Sequence, residues 1–322
     1  MIWVSWRLQC TEVLIAAAIF ALLAALLVPT GIEMASTYHR DGLSACLSQD
    51  TSGGCAQAID AFTSRFDGLR SLIAWFTIIP GLIGVLLAAP FVLELENGAY
   101  RLAWTQSITR RRWIVSKLGL AIAAALLAAL ALTLLETWWH TPFVHLEGRM
   151  DSSVFDSEGT VIFGYTLFAL GLATAVGAVW RRAVPALVVA FVGYFAARVF
   201  VDTWLRQHLV TPLSATWQVL VPDHGGVRKV GGEPASLNHA WIISQNPSDK
   251  LGHPVSVLVG VCSKAQVISG NCLAQKGGGY MHAVYEPASR FWLLQGVETA
   301  LFGGIALVLI GFAAWWTHER TA

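Results

Sequence analysis

Six stretches of this chain are long and apolar enough to cross a bilayer, at about residues 13–30, 69–93, 114–139, 160–180, 184–205 and 293–316. A helix rising ~1.5 Å per residue crosses a ~30 Å hydrocarbon core in about 20 residues. Each stretch is apolar around its whole circumference, whereas a surface helix keeps a polar face. The third is the clearest, with the run LGLAIAAALLAALALTLL. Charged residues make up 13% of the chain, about half the share in a soluble domain, which disfavours a soluble enzyme. The 55% of apolar residues excludes a disordered chain. A net charge of +1 offers no field for nucleic acid. The fold class expected is an all-α membrane protein with six transmembrane helices.

Orientation follows from lysine and arginine near the span ends, because cytoplasmic loops hold the excess. With the N-terminus inside, the inner segments hold Arg7, Arg101, Arg110, Arg111, Arg112, Lys117, Arg181, Arg182 and Arg320. The short outer loop 140–159 holds only Arg149. Both termini are therefore expected in the cytoplasm, with the protein multi-pass in its membrane. Four of the five cysteines, Cys46, Cys55, Cys262 and Cys272, then fall outside, where disulfides persist. Four cysteines allow three connectivities. The local pairs Cys46–Cys55 and Cys262–Cys272 are expected. Arg7 is the only basic residue before the first span and no A-x-A stands just after that span, so no cleavable signal is expected.

Residues 1–205 read as a transmembrane domain with five spans. It opens on residues 1–12, which mix Trp3, Trp6 and Leu8 with Arg7 and Glu12 and suit a short amphipathic helix on the inner membrane face. Residues 32–68 read as an outer loop in which Ile59, Phe62 and Phe66 share one helical face. Residues 206–292 read as a small disulfide-pinned extracellular module, loop-rich but with strand-like runs HAWIIS and PVSVLVGV. Residues 293–322 supply the sixth span and a cytoplasmic C-terminus.

The most specific order of residues lies between the second and third spans, PFVLELENGAYRLAWTQSITRRRWIVSK. From Arg101 to Lys117 it holds five basic residues and no acidic one. It resembles the permease subunits of bacterial type-2 ABC transporters, in particular a subfamily with the loop E-x-E-x-G-T-x-R-L-A-W-T-Q-S-x-T-R-x-R-W. The matching positions are Glu94, Glu96, Gly98, Arg101, Leu102, Ala103, Trp104, Thr105, Gln106, Ser107, Thr109, Arg110, Arg112 and Trp113, with Ala99 where that subfamily has threonine. Trp3, Trp6 and Arg7 also match its N-terminal W-x-x-W-R. Tyr285, Pro287, Ala288, Arg290, Phe291 and Trp292 match its approach to the last span, Y-x-P-A-x-R-F-W.

The resemblance implies a coupling helix at about 96–113 that docks on an ATPase subunit. Trp104 and Trp113 would anchor its membrane side, and Arg110, Arg111 and Arg112 would face the partner. Glu94, Glu96, Gly98 and Gln106 complete the expected coupling set. It further implies two ATPase subunits carrying ATP and Mg, and a second permease, identical or paralogous. No cofactor is expected in this chain. A phosphate-cradling loop needs G-x-x-x-x-G-K-[ST], which does not occur, so the chain is expected not to be an enzyme. The task implied is outward movement of an amphipathic molecule such as a drug, antibiotic, peptide or lipid.

Ionisable groups inside spans need partners. Arg198 and Asp202 are one helical turn apart in the fifth span, so an intrahelical pair is one expectation. Gln295 and Glu298 lie in the sixth. Arg198 sits roughly 21 Å above the inner end of its span and Glu298 roughly 9 Å below the outer end of its own. In a ~30 Å core these depths coincide, so an interhelical contact is the other expectation. His140, His145 and Glu147 form the best metal candidate, yet no HExxH occurs and no metal site is expected. Pro80, Gly81, Gly84 and Pro90 interrupt the second span, which suits small-residue helix packing. Two other readings compete. One is a membrane sensor or immunity protein that binds a ligand through its outer module without transport. The other is an ion-coupled carrier, which would need an inverted repeat; none is visible.

Overall fold

A computed structural model describes residues 2–48, 54–100, 109–223, 226–229, 232–254 and 279–320. It is mostly helical. Six helices among the described residues are long and apolar enough to cross a membrane: Ala17–Arg40, Ile79–Glu96, Arg110–Leu146, Val161–Trp180, Ala183–Leu209 and Ala288–Arg320. The chain divides into two compact units, one holding the spans and one formed by residues 147–152 and 204–294.

In the first unit the helices are α1 (Ile2–Arg40), α2 (Leu43–Ser48), α3 (Gly54–Phe76), α4 (Ile79–Glu96), α5 (Arg110–Glu147), α6 (Ser152–Ser157), α7 (Val161–Trp180), α8 (Ala183–Phe200) and α9 (Phe291–Arg320). A π-helical turn, Val201–Leu205, continues α8. Helix α4 lies against both α7 and α8. Of the spanning windows α7 is the most enclosed, 78% buried against 17% for α1, so α7 is central and α1 peripheral. Close approach of α4 to α7 depends on Gly84, where a Cβ would run into the Thr166 carbonyl and the Ala169 side chain. Packing of small residues is what joins helices where lipid removes the hydrophobic drive.

Three expected boundaries move. The first span and the N-terminal amphipathic helix are one continuous α1 of 39 residues, with no turn between them. The expected loop 32–68 is largely helical. Helix α1 runs on to Arg40, and the chain returns through α2 and α3. Helices of 39 and 38 residues reach nearly 60 Å, far more than a ~30 Å core needs. The surplus of α1 and α5 is covered by α3, in a cluster of Leu27, Met34, Tyr38, Leu43, Phe62, Phe66, Phe76, Trp139 and Phe143. Cys46 and Cys55 are joined, with Cα atoms 5.5 Å apart. Closing so short a loop contributes roughly 2–3 kcal/mol by restricting the unfolded chain.

The second span begins at Ile79 rather than 69, because the helix breaks at Thr77 and Ile78. Pro80 explains this: a proline is tolerated in the first turn of a helix but not in its interior. The carbonyl of Thr77 freed by the break accepts the Tyr194 hydroxyl at 3.0 Å. The turn between α7 and α8 is as tight as Arg181 and Arg182 suggest. Arg181 takes the left-handed conformation (φ 53°) and its N–H returns to Gly177 O, closing α7. Arg182 is extended and opens α8.

The second unit is built on strands, with one short helix at Arg206–Leu209, so the all-α description holds for the spans alone. Strands β1 (Leu213–Gln218), β4 (Trp241–Ser248) and β5 (Tyr280–Glu286) form an antiparallel sheet in the order β1-β5-β4. β2 (Leu220–Asp223) and β3 (Gly226–Lys229) form a hairpin. Ala283 and Tyr285, two apart on one face of β5, make a small core with Leu237. The run HAWIIS contributes to β4. PVSVLVGV beyond Pro254, and the expected pair Cys262–Cys272, lie outside the described residues.

Candidate functional site

Two polar arrays stand out in the helical unit, one at each end of the spans. The first gathers around the loop motif. Thr109 opens α5, its hydroxyl accepting the Arg112 N–H at 3.4 Å and its carbonyl the Trp113 N–H at 3.1 Å. Such a residue satisfies N–H groups that the first turn leaves without helical partners. Arg110, Arg111 and Arg112 thus occupy the first turn of α5, where the helix dipole disfavours cations. Arg111 and Arg112 are exposed. Trp113 is buried, its ring stacked on Phe91 at 5.8 Å and 6.3 Å from Tyr100. Gly98 has φ +66°, the left-handed conformation that lets the chain leave α4 in a tight turn.

Glu94 pairs with Lys117, whose side chain is only 3% exposed. Glu96 Oε2 accepts the Ala183 N–H of α8 at 2.8 Å. At the same end Arg181 donates to Arg320 O at 2.9 Å and Arg320 lies over Trp316. The two motif glutamates therefore join α4 to α5 and α8, which sequence reasoning had not separated from the rest of the coupling set. The remaining motif residues, Arg101, Leu102, Ala103, Trp104, Thr105, Gln106 and Ser107, lie outside the described residues, as do Trp3, Trp6 and Arg7 in their side chains.

The second array is buried. Arg198 Nη2 meets Asp156 Oδ2 at 2.7 Å and its Nη1 meets Glu298 Oε1 at 3.3 Å. The guanidinium also lies 3.8 Å from the Tyr165 ring centre. The Tyr165 hydroxyl accepts from Arg198 and donates to Glu298. Arg198, Asp156 and Glu298 are at most 7% exposed in their side chains. Of the two expectations for Arg198, the interhelical one is realised. Its ion pairs run to Glu298 and to Asp156. Asp156 went unread because DSSVFDSEG looks like an exposed connection; instead α6 folds it onto the bundle.

Gln295 joins the same region. Its Oε1 accepts the Val161 N–H at 3.0 Å and its Nε2 donates to Phe155 O at 2.8 Å. It thereby caps α7 from a residue 134 positions away. Beside these, Glu136 and His140 are buried on one face of α5, with His140 Nδ1 3.5 Å from Ser157 Oγ. His145 is exposed and stacks on Tyr38, so the two histidines of the metal candidate do not converge. No group of three potential metal ligands occurs among the described residues.

No curated protein and no solved structure matches the chain. A family model described as ABC-2 membrane transporter related matches residues 17–206. That range runs from α1 through the loop motif to Arg198 and Asp202. Six apolar helices, a basic loop between the second and third, and a match over more than half of the chain agree: this is a multi-pass membrane protein belonging to the ABC-2 membrane transporter related family.

Proposed function

We propose that this chain is the permease subunit of an ATP-driven exporter in a bacterial inner membrane. Two copies, or one copy and a paralogue, pair with two ATPase subunits that carry ATP and Mg. The loop-motif end faces the cytoplasm, with both termini, and the β unit faces outside. An amphipathic molecule moves outward through the spans. This chain binds and moves it; hydrolysis belongs to the partner.

The observation that carries the reading is the basic first turn of α5. Three consecutive arginines stand where the helix dipole opposes them, and Arg111 and Arg112 are exposed. Cations kept at such a cost to the helix suit an acidic groove on a partner. Complementary charge steers association and weakens with salt. The family match adds the class of partner, because ABC-2 permeases work with ATPase subunits.

The test compares two single reversals, Arg111→Glu and Arg182→Glu, in full-length permease co-expressed with its ATPase. Both residues are exposed and basic at the same end of the bundle, but Arg182 sits in a turn too short to dock a helix. Arg111→Glu is expected to reduce copurified ATPase about tenfold or more, and Arg182→Glu by less than about threefold. Membrane abundance is measured in both, since basic residues also direct insertion. Equal retention of the ATPase in Arg111→Glu and wild type, at equal abundance, would refute the docking role.

A further inference from the structure

The two motif glutamates do not face the same way. Residues two apart on a helix point to nearly opposite sides, and Glu94 and Glu96 use this. Glu94 reaches the buried ammonium of Lys117 on α5. Glu96 reaches the Ala183 N–H at the start of α8, where Arg182 supplies no side-chain cap. Leu95, between them, is 2% exposed and seats the end of α4 in the bundle. Beyond the Gly98 turn, Tyr100 is again buried, at the Trp113 ring that also stacks on Phe91. The end of α4, the start of α5 and the start of α8 are thus tied together at one corner.

We infer that Glu94 and Glu96 are positioning residues of the coupling step: they pass a displacement of the end of α4 into α5 and α8, and do not touch the ATPase. This rests on the exporter reading above and assigns the glutamates a different task from the arginines beside them. A buried lysine tolerates no loss of its carboxylate without a large penalty, so α5 must follow wherever Glu94 goes. Helix α8 follows Glu96 through its first free N–H, a group that needs a partner and at which the helix dipole favours an anion. One end of α4 therefore moves two neighbours on opposite sides.

The experiment uses full-length permease and the ATPase that copurifies with it, reconstituted in lipid nanodiscs. It measures ATPase binding, the KM for ATP and the permease-dependent kcat for hydrolysis. Glu94→Lys and Lys117→Glu, singly, are expected to lower that kcat about tenfold, with binding and KM within about threefold of wild type. The double exchange, Glu94→Lys with Lys117→Glu, is expected to restore kcat to within about threefold. Because each single variant leaves two like charges facing, the double exchange also shows that loss in the singles is not loss of the fold. Glu96→Gln retains an oxygen for the Ala183 N–H and is expected to keep kcat, whereas Glu96→Ala is expected to lower it. The inference is overturned if the single variants lose ATPase binding in parallel with kcat and the double exchange restores neither, for then Glu94 contacts the ATPase. It is equally overturned if all variants hydrolyse like wild type. Failure of wild-type permease to bind any ATPase would instead remove the exporter reading itself, and this inference with it.

Discussion

The helical unit and the β unit both hold carboxylates in fixed geometry, by opposite means. In the bundle, Arg198 meets Tyr165 and Glu298 from residues 33 and 100 positions distant, and Gln295 reaches Phe155 from 140. All are buried. In the β unit, Asp249 holds its own turn: Oδ1 accepts the Leu251 and His253 N–H groups, two and four residues on, at 2.8 and 2.9 Å. Asp249 lies at the surface. A polar group in lipid-embedded structure has no water to fall back on, so it must be answered by another helix. A surface carboxylate can be replaced by water, so only local bonds hold it and losing them costs little.

The largest effect expected from this contrast is at Arg198. Arg198→Met removes the cation that Asp156 and Glu298 share in the buried cluster. Breaking such a pair costs about 3–5 kcal/mol, much of it the uncompensated charge. A triple change, Arg198→Met with Asp156→Asn and Glu298→Gln, is expected to recover most of that loss. Thermal unfolding in detergent, followed by tryptophan fluorescence, gives the order of stability. If Arg198→Met unfolds within about 0.5 kcal/mol of wild type, the cluster behaves like a surface pair and the contrast fails.

Gln295→Ala is expected to be the next largest. It removes the side-chain partner of the Val161 N–H and of the Phe155 carbonyl, in a setting where a buried donor left unsatisfied costs about 1–3 kcal/mol. Gln295→Glu keeps the acceptor for Val161 but loses the donor for Phe155, so its loss should be intermediate. The same unfolding measurement ranks the three. Equal loss in the alanine and glutamate variants would mean that the Val161 bond contributes nothing, and that α7 is capped by packing alone.

How much of this was legible follows the same division. The spans were legible because their signal is continuous apolarity, which needs no partner to be read. The Arg198–Glu298 contact was legible as one of two expectations, because both residues stand out in apolar runs and their depths agree. Tyr165 was not, since an aromatic residue in an apolar run carries no charge to betray it. Asp156 was hidden in a segment whose composition is that of a loop. The helical covering of residues 32–68 was half visible: the spacing of Ile59, Phe62 and Phe66 marked a face, but nothing in it said that α1 and α5 would run past the bilayer to meet that face. In the β unit, β4 was read from its pattern. β5, the central strand of its sheet, overlaps residues that also resemble the approach to the last span, and alternation over seven residues was not separated from that. At the loop motif, order of residues gave the location of Glu94 and Glu96 but not their direction, because side-chain direction depends on which neighbours the helix finds.

The smallest effect expected is at Asp249, and it sharpens the contrast through pH. The bond from the His253 backbone N–H, helped by the His253 side chain and the Leu251 N–H, holds the Asp249 carboxyl below its ordinary value of 3.8. A carboxylate whose value is lower folded than unfolded adds stability that is complete above the unfolded value and is lost as pH falls through the folded one. The turn Asp249–His253 should therefore be fully formed at neutral pH and loosen only below pH 3.8. Asp249→Asn keeps an oxygen for the two N–H groups and removes the ionisation, so its turn should persist without that acid step. Asp249→Ala should lose the turn at every pH. Hydrogen exchange at Leu251 and His253, corrected for intrinsic rates, reads this locally, while the unfolding midpoint of the helical unit should not move. Loosening of the turn above pH 5 in wild type would mean that some other group titrates there. A shift of the bundle's midpoint in Asp249→Ala would mean that a surface turn bears on the buried array, and that the two regions are not held by separate means.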